Sequence, residues 1–245
     1  MAAQSRRPDR PPILVTRPEP QATRFGRALR GADWTGRVFI SPLTAPVFAE
    51  ILLPPRPFAA IVLTSETGAL AAARLPGLPR LAWCVGDRTA QVARAKGFAT
   101  RSAKGDAAAL AALILAEGAT GPLLYLHARE TRGDLADTLN SAGLETISQL
   151  AYAQDPRPLT PAARRLIARP GPVVLPILSP RTATLLVAAW QAAGAWATPH
   201  VVALSPAVAK AARPLNPATL DIADRPDGDS LLATLRRRME SWPRA

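Results

Sequence analysis

The sequence predicts a two-domain α/β protein with parallel sheets, built from two copies of one ancestral half and working in the cleft between its domains. Three observations lead there. Short apolar runs alternate with segments of helical periodicity along the chain, the pattern of parallel strands joined by covering helices. Most apolar runs end in a Ser, Thr, Asp or Gly turn placed to start the next helix. The order of strands, turns and helices in the first half recurs in the second.

Ile13-Leu14-Val15-Thr16 reads as a strand, followed by a helix over about residues 20–30 with Phe25, Ala28 and Leu29 on one face. Residues 37–47 are extended. Pro42 and Pro46 cannot donate to a ladder, so this is an edge strand or a connector. Residues 59–63 form a buried strand, and Thr64-Ser65 caps a helix to Arg74. The strand 81–85 leads through Gly86-Asp87 into a helix over 88–96 that Gly97 closes. A short strand near 99–101 precedes Gly105-Asp106, which caps a helix over 107–116.

The second half begins with a strand over 123–127 and a helix over 131–141 closed near Gly143. Residues 145–152 are extended, 155–161 read as a linker, and a helix near 162–168 precedes the strand 173–178. Ser179-Pro180 caps a helix over 181–193, the strand 201–204 leads to Ser205-Pro206, and a further helix starts there. A strand over 219–222 and a helix capped by Gly228-Asp229 end the series. Pro180 and Pro206 fall at the first helical position, where a missing N–H costs nothing.

The halves align. Phe25 matches Leu135, Leu29 matches Leu139, Ser65 matches Ser179, Gly86 matches Ser205, and Gly105-Asp106 matches Gly228-Asp229. The offset grows slowly, as loop insertions would make it grow. Agreement of order and capping together favours tandem duplication over chance likeness of Ala-rich segments. From periodicity alone, the halves could equally be two sequential domains.

Composition narrows the function classes. The chain has 245 residues and is 48% hydrophobic, enough for a real core. Its longest apolar run, 107–116, stops at Glu117, short of the roughly 20 residues that span a bilayer. Residues 1–12 are polar, with Arg6, Arg7 and Arg10, and lack the apolar core of a secretory signal. Cys84 is the single cysteine, so no internal disulfide forms and a reducing, cytoplasmic setting is expected. The net charge of +12 is partly in the arginine-rich tails, and the remaining body is still basic. That suits an anionic ligand, and it equally suits a charged, soluble surface. With 5% aromatics, stacking platforms for nucleic acid are not expected.

In parallel sheets, ligands bind beyond the C-terminal strand ends. The turns there are Thr16-Arg17-Pro18, Thr64-Ser65-Glu66, Gly86-Asp87-Arg88-Thr89, His127-Ala128-Arg129, Ser179-Pro180-Arg181 and Ser205-Pro206. They offer hydroxyls and free N–H groups at helix starts, with Arg17, Arg88, Arg129, Arg132 and Arg181 adding fork-shaped donors for carboxylates. Ordinary capping accounts for any one turn. The set, pairing caps with arginines, points to anion binding.

No Walker-type phosphate loop, dinucleotide fingerprint or GxSxG elbow occurs. His127 and His200, the two histidines, make no metal-ligand pattern with Cys84. His127 follows a strand and is either a site residue or a satisfied loop histidine. Cys84 lies in a buried strand and reads as core. Tyr152 ends an extended connector, either as a packing residue at a hinge or facing the space between the domains.

Taken together, Val15-Thr16-Arg17-Pro18, Leu63-Thr64-Ser65, Val85-Gly86-Asp87-Arg88-Thr89-Ala90, Leu124-Tyr125-Leu126 with Leu139 and Gly143, Ala151-Tyr152, Leu178-Ser179-Pro180-Arg181 and Leu204-Ser205-Pro206 form an ordered set. The set resembles the uroporphyrinogen-III synthase family, from about Ile13 to the last helix. The resemblance implies two parallel-sheet, flavodoxin-like domains joined by a two-stranded β-ladder. Residues 1–37 with 157–245 would form one domain, 50–143 the other, and 38–49 with 144–156 the ladder.

The resemblance also implies a cyclising hydro-lyase. Its substrate would be linear hydroxymethylbilane, a tetrapyrrole with an acetate and a propionate on every ring. Its product would be uroporphyrinogen III, formed with loss of water and inversion of ring D through a spiro intermediate, in heme, chlorophyll or cobalamin biosynthesis. No cofactor and no metal are implied. The partner is a small-molecule polycarboxylate, with hydroxymethylbilane synthase as the enzyme that would hand it over. Neither nucleic acid nor membrane is involved, and a cytoplasmic monomer is expected.

Residue by residue, Tyr152 matches the tyrosine thought to assist departure of the hydroxyl. Ser65, Thr89 and Ser179 match hydroxyls of the cleft. Thr16, Arg17, Thr64, Gly86, Arg129, Arg181 and Ser205 complete the implied substrate-binding set. Val208 stands where relatives can carry a hydroxyl, and Ser65-Glu66-Thr67 departs from the more usual Ser-x-Asn. At these places backbone N–H groups would carry the carboxylate contacts. The alternative is a non-catalytic anion- or tetrapyrrole-binding module on the same fold, which rests on those two departures.

Overall fold

The computed structural model describes residues 10–32, 34–130 and 134–242. Arg132, Thr131 at the expected helix start, Arg6 and Arg7 near the N-terminus and Arg244 lie outside the described residues. The first described elements are β1 (Ile13–Val15), α1 (Gln21–Gly31) and β2 (Val38–Ile40). There follow β3 (Thr44–Phe48), β4 (Ala60–Leu63), α2 (Glu66–Ala72), β5 (Leu81–Cys84), α3 (Asp87–Ala95), β6 (Ala99–Ser102) and α4 (Ala107–Ala116). Next come β7 (Leu123–Ala128), α5 (Leu135–Ser141) and β8 (Thr146–Pro156). The last are α6 (Pro161–Ile167), β9 (Gly171–Ile177), α7 (Pro180–Ala192), β10 (Ala197–Ala203), α8 (Pro206–Ala212), β11 (Thr219–Ile222) and α9 (Gly228–Glu240).

These form two compact units. One holds the described residues up to Ala45 and from Pro156 on, and the other is Pro46–Asp155. The first contains a five-stranded sheet in the order β11-β10-β9-β1-β2, with every pair parallel. The other sheet has six strands in the order β3-β8-β7-β4-β5-β6. Its β8-β7-β4-β5-β6 pairs are parallel. From β2 to β11 and from β8 to β6, the two orders correspond strand for strand. β1 and β2, from the first half of the chain, complete a sheet with β9, β10 and β11, whereas β7 and β8 complete one with β4, β5 and β6.

Each central strand is buried on both faces, as its apolar run requires. Ile61 and Leu63 of β4 enter one cluster with Leu124 and Leu126 of β7. Ala60 and Val62 point to the opposite face, with Leu123, Tyr125 and Ile114. In the five-stranded sheet Leu14 faces Val173, Leu175 and Ile177, while Ile13 and Val15 pack with Phe25, Leu29 and Leu231.

Several local expectations change. The single extended segment 37–47 is divided between the sheets, β2 pairing with β1 and β3 lying beside β8. Pro42 falls in the break, flanked by Ser41 N–H on the Val15 carbonyl at 2.9 Å and Leu43 N–H on the Thr16 carbonyl at 3.2 Å. Val38–Ile40, expected in the ladder, is thus an edge strand of the five-stranded sheet, and β3 and β8 remain as the adjacent pair. Residues 155–156 belong to β8, which lies between β3 and β7, rather than to a linker. The last helix is capped by Asp227, whose carboxylate accepts from Ser230 N–H at 2.7 Å, so Gly228 and Asp229 lie inside its first turn. Among the described residues no helix is long and apolar enough to cross a membrane.

Core burial sets a stability expectation. Ile114 is 0% exposed and Leu52 is 95% exposed. Ile114→Ala should cost about 2–5 kcal/mol, and Leu52→Ala should stay within about 0.5 kcal/mol. Urea unfolding of the intact chain measures both, and equal midpoints would contradict this core.

Candidate active site at the strand-end turns

In the six-stranded unit, strand order reverses direction between β4 and β7, the place where an open parallel sheet leaves a crevice. A cavity of about 460 Å³ opens there. Thr64, Ser65 and Val85 line it from the ends of β4 and β5, and Tyr125, Ala128 and Tyr152 from β7 and β8. Asp106 with the first residues of α4, and Glu130 after β7, complete the lining.

Ser65 is the N-cap of α2, with extended backbone, and its Oγ accepts from Gly68 N–H at 2.9 Å. A Cβ on Gly68 would come within 3.3 Å of both the Leu126 carbonyl oxygen and Ser65 Oγ. Glycine therefore lets α2 settle against β7 and holds Ser65 at the crevice. Ser65 Oγ also lies 2.7 Å from the Tyr152 hydroxyl, and the neighbouring Thr64 Oγ1 lies 3.2 Å from the Tyr125 hydroxyl. Both tyrosines of the chain thus end in this one cavity.

Tyr152 arrives there through a β-bulge. β8 pairs Leu150 with His127 and then Tyr152 with Ala128, skipping Ala151. The extra residue turns Tyr152 onto the face that Ala151 already occupies, with α2. Burial pushes the Tyr152 phenol above the usual tyrosine range. The Ser65 hydrogen bond pulls it back in part, and Tyr125 and the Glu130 carboxylate push it up again. The phenol is therefore a protonated donor throughout the neutral range.

The other expected residues divide. Gly86 begins α3 with extended backbone and no side-chain cap, and a Cβ there would meet nothing within 4 Å. The first amides of α3 are thus left without a capping side chain, beside open space. Thr89 is only 4% exposed and sits on the inner face of α3, so it does not reach the cavity. Arg129 uses its backbone N–H on the Tyr152 carbonyl at 2.8 Å, with its side chain exposed. His127 Nδ1 lies 2.8 Å from the Ala128 carbonyl oxygen, the satisfied loop reading. Cys84 is buried and its thiol is pushed up to about 12 by desolvation, which leaves it no nucleophilic role.

In the five-stranded unit, Thr16, Ser179 and Ser205 follow the neighbouring strands β1, β9 and β10. Ser179 caps α7, its Oγ accepting from Thr182 N–H at 3.1 Å and donating to Thr182 Oγ1 at 2.8 Å. Ser205 caps α8 more loosely, at 3.4 Å from Val208 N–H. The Thr16 hydroxyl is buried with no partner among the described residues. Arg17 lies over the Phe25 ring at 5.9 Å, and Arg181 is exposed. Val208 is 1% exposed within the core. Like its counterpart Thr89 it faces inward. Among the described residues no cluster of His, Cys, Asp and Glu could hold a metal ion.

The sequence pointed to Thr64, Ser65 and Tyr152 but passed over Tyr125, Asp106 and Glu130 as site residues. The available signal was position. Glu130 directly follows a strand-end turn, and Asp106 caps the helix after β6.

Comparisons with known proteins bear on the family and the fold. The family model described as "Uroporphyrinogen-III synthase HemD" matches residues 2–233. Among solved structures, the uroporphyrinogen-III synthetase of Helicobacter pylori 26695 is similar at 16% identity, covering 94% of this chain and 99% of that one with a TM-score of 0.62. The uroporphyrinogen III synthase of the extremely thermophilic bacterium Thermus thermophilus is also found, at 15% identity, 94% and 97% coverage and a TM-score of 0.35. No curated protein sequence matches significantly.

Tyr125→Phe leaves Tyr152 as the only tyrosine. Ultraviolet titration of that variant should show phenolate forming above the value of about 10 for free tyrosine. Adding Ser65→Ala should move the midpoint higher, because the lost hydrogen bond favoured the phenolate. A midpoint at or below that of free tyrosine would contradict the buried setting.

Proposed function

The chain belongs to the uroporphyrinogen-III synthase family, and on that premise we propose that it converts linear hydroxymethylbilane into uroporphyrinogen III with Tyr152 as its proton donor. The observation that carries this reading is the Tyr152 hydroxyl, kept protonated by burial and held 2.7 Å from Ser65 Oγ in the β4/β7 crevice.

The chemistry asks little of the protein beyond placement. The pyrrole nitrogen of the substrate expels the hydroxyl of its hydroxymethyl group, and a phenol at that oxygen lets it leave as water. The azafulvene cation left behind is attacked by the substituted carbon of ring D. The spiro intermediate then fragments and recloses with ring D inverted. Spontaneous end-to-end closure competes, so the protein's main contribution is to hold the chain folded for the attack at the substituted carbon.

The acetate and propionate arms need donors. We assign these to Thr64, Ser65, Gly86, Thr89 and Arg129 in the six-stranded unit and to Thr16, Arg17, Ser179, Arg181 and Ser205 in the five-stranded one. For Gly86 and Thr89 the donors are the first-turn amides of α3, since Thr89 turns its side chain inward. The excess of basic over acidic residues, net +12, favours approach of a polycarboxylate. The same reading makes the protein a cytoplasmic, cofactor-free monomer that takes its unstable substrate from hydroxymethylbilane synthase.

Freshly made hydroxymethylbilane, followed by oxidation and separation of the isomers, tests the reaction. Excess type III isomer is expected, and type I alone would sink it. Tyr152→Phe should lower turnover more than tenfold, about 1.4 kcal/mol of barrier. Unchanged kinetics would remove Tyr152 from the mechanism.

A further inference from the structure

Two hydroxyl–phenol pairs flank the end of β4, one on each face of the sheet. Ser65 Oγ meets Tyr152 on the face that Ile61 and Leu63 occupy. Thr64 Oγ1 meets Tyr125 on the other face, that of Val62 and Trp83, with the two oxygens 3.2 Å apart. The pairing of β4 with β7 sets Val62 opposite Tyr125, so Thr64, two residues on, stands beside the same ring. Tyr125 is held firmly there. It is 6% exposed, its ring packs among Val62, Leu110 and Leu123, and the His127 ring lies against it with centroids 5.3 Å apart. Tyr125 and Thr64 both line the cavity.

Neither hydroxyl has another hydrogen-bond partner among the described residues. One hydrogen therefore lies between the two oxygens, and the other is left for a ligand. A phenol gives up its proton far more readily than an alcohol, so Tyr125 donates and Thr64 Oγ1 accepts. The Thr64 hydrogen then turns into the cavity. Resting on the reaction read above, in which Thr64 binds an acid arm, we propose that Tyr125 is a positioning residue for that arm: its phenol holds Thr64 Oγ1 so that the threonine hydroxyl donates to the carboxylate. The packed ring orders this hydroxyl before the substrate arrives, which acts on binding and not on the chemical step. Donation in the opposite direction, from Thr64 to Tyr125, would present a phenol proton to the substrate. Tyr125 would then be a second acid, acting on kcat.

The two directions are separable by kinetics. With hydroxymethylbilane as substrate, Tyr125→Phe should raise KM about three- to tenfold, as one weakened hydrogen bond would, while kcat stays within about twofold. Thr64→Val should raise KM by at least as much. The double variant should be no worse than Thr64→Val alone, because Tyr125 then has no hydroxyl to hold. Thr64→Ser keeps the hydroxyl and should stay near the parent. A fall in kcat with KM unchanged overturns the positioning role, since it marks Tyr125 as an acid. Unchanged constants in Tyr125→Phe, losses that multiply in the double variant, or a Ser variant as poor as Val each overturn it as well. Type III isomer from the unmodified protein together with any of these results overturns Tyr125 alone. Type I alone from the unmodified protein overturns the reaction, and this role with it. Tyr125→Phe keeps the packed ring, so it should melt near the parent.

Discussion

Parallel pairing of β4 with β7, Ala60 opposite Leu123 through Leu63 opposite Leu126, is what the site hangs on. These strands are far apart in sequence, and their adjacency makes the point where strand order reverses. Crossover connections leave on opposite faces at such a point, so the strand ends open a crevice without any residue having to carve one. Thr64 and Ser65 arrive at its edge from β4, and Tyr125 from β7. The pairing is stabilised from both faces by fully buried aliphatic side chains, which makes the crevice a rigid place to hold a hydroxyl.

The same plan occurs in the other sheet, where β1 lies beside β9 and Thr16 and Ser179 follow them. The copies have diverged where chemistry is concerned. Both Ser65 and Ser179 cap a helix, but Ser65 Oγ meets a phenol from β8 while Ser179 Oγ meets the hydroxyl of its own helix, Thr182. The five-stranded sheet has β2 in the place of β8, and that strand is only three residues long, without a tyrosine. One ancestral turn thus meets a phenol from a neighbouring strand in one copy and a hydroxyl of its own helix in the other.

Electrostatics divides the molecule similarly. The chain is basic, and helix-start amides such as those of α3 are left uncapped by a side chain, a setting that favours an anionic group. The cavity around Tyr152 has no cationic side chain among its described lining residues, and it carries a carboxylate near a desolvated phenol.

Much of this was legible in the sequence because it is local. Strand and helix follow from apolar periodicity, and Ser65, Ser179 and Ser205 announce their helices through capping chemistry that acts over three residues. The basic charge and the duplicated order are likewise properties of the string. Tertiary structure decided the rest, because it turns on which strands pair. Alternation along β8 puts Tyr152 on the face opposite Ala151, and only the bulge against β7 turns it toward Ser65. Thr89 and Val208 read as site positions in the sequence, yet helix packing turns both inward. Glu130 and Tyr125 looked like an unremarked loop residue and a strand residue. Their meeting with Tyr152 depends on long-range pairing of parallel strands, and no local pattern encodes which strand lies beside which.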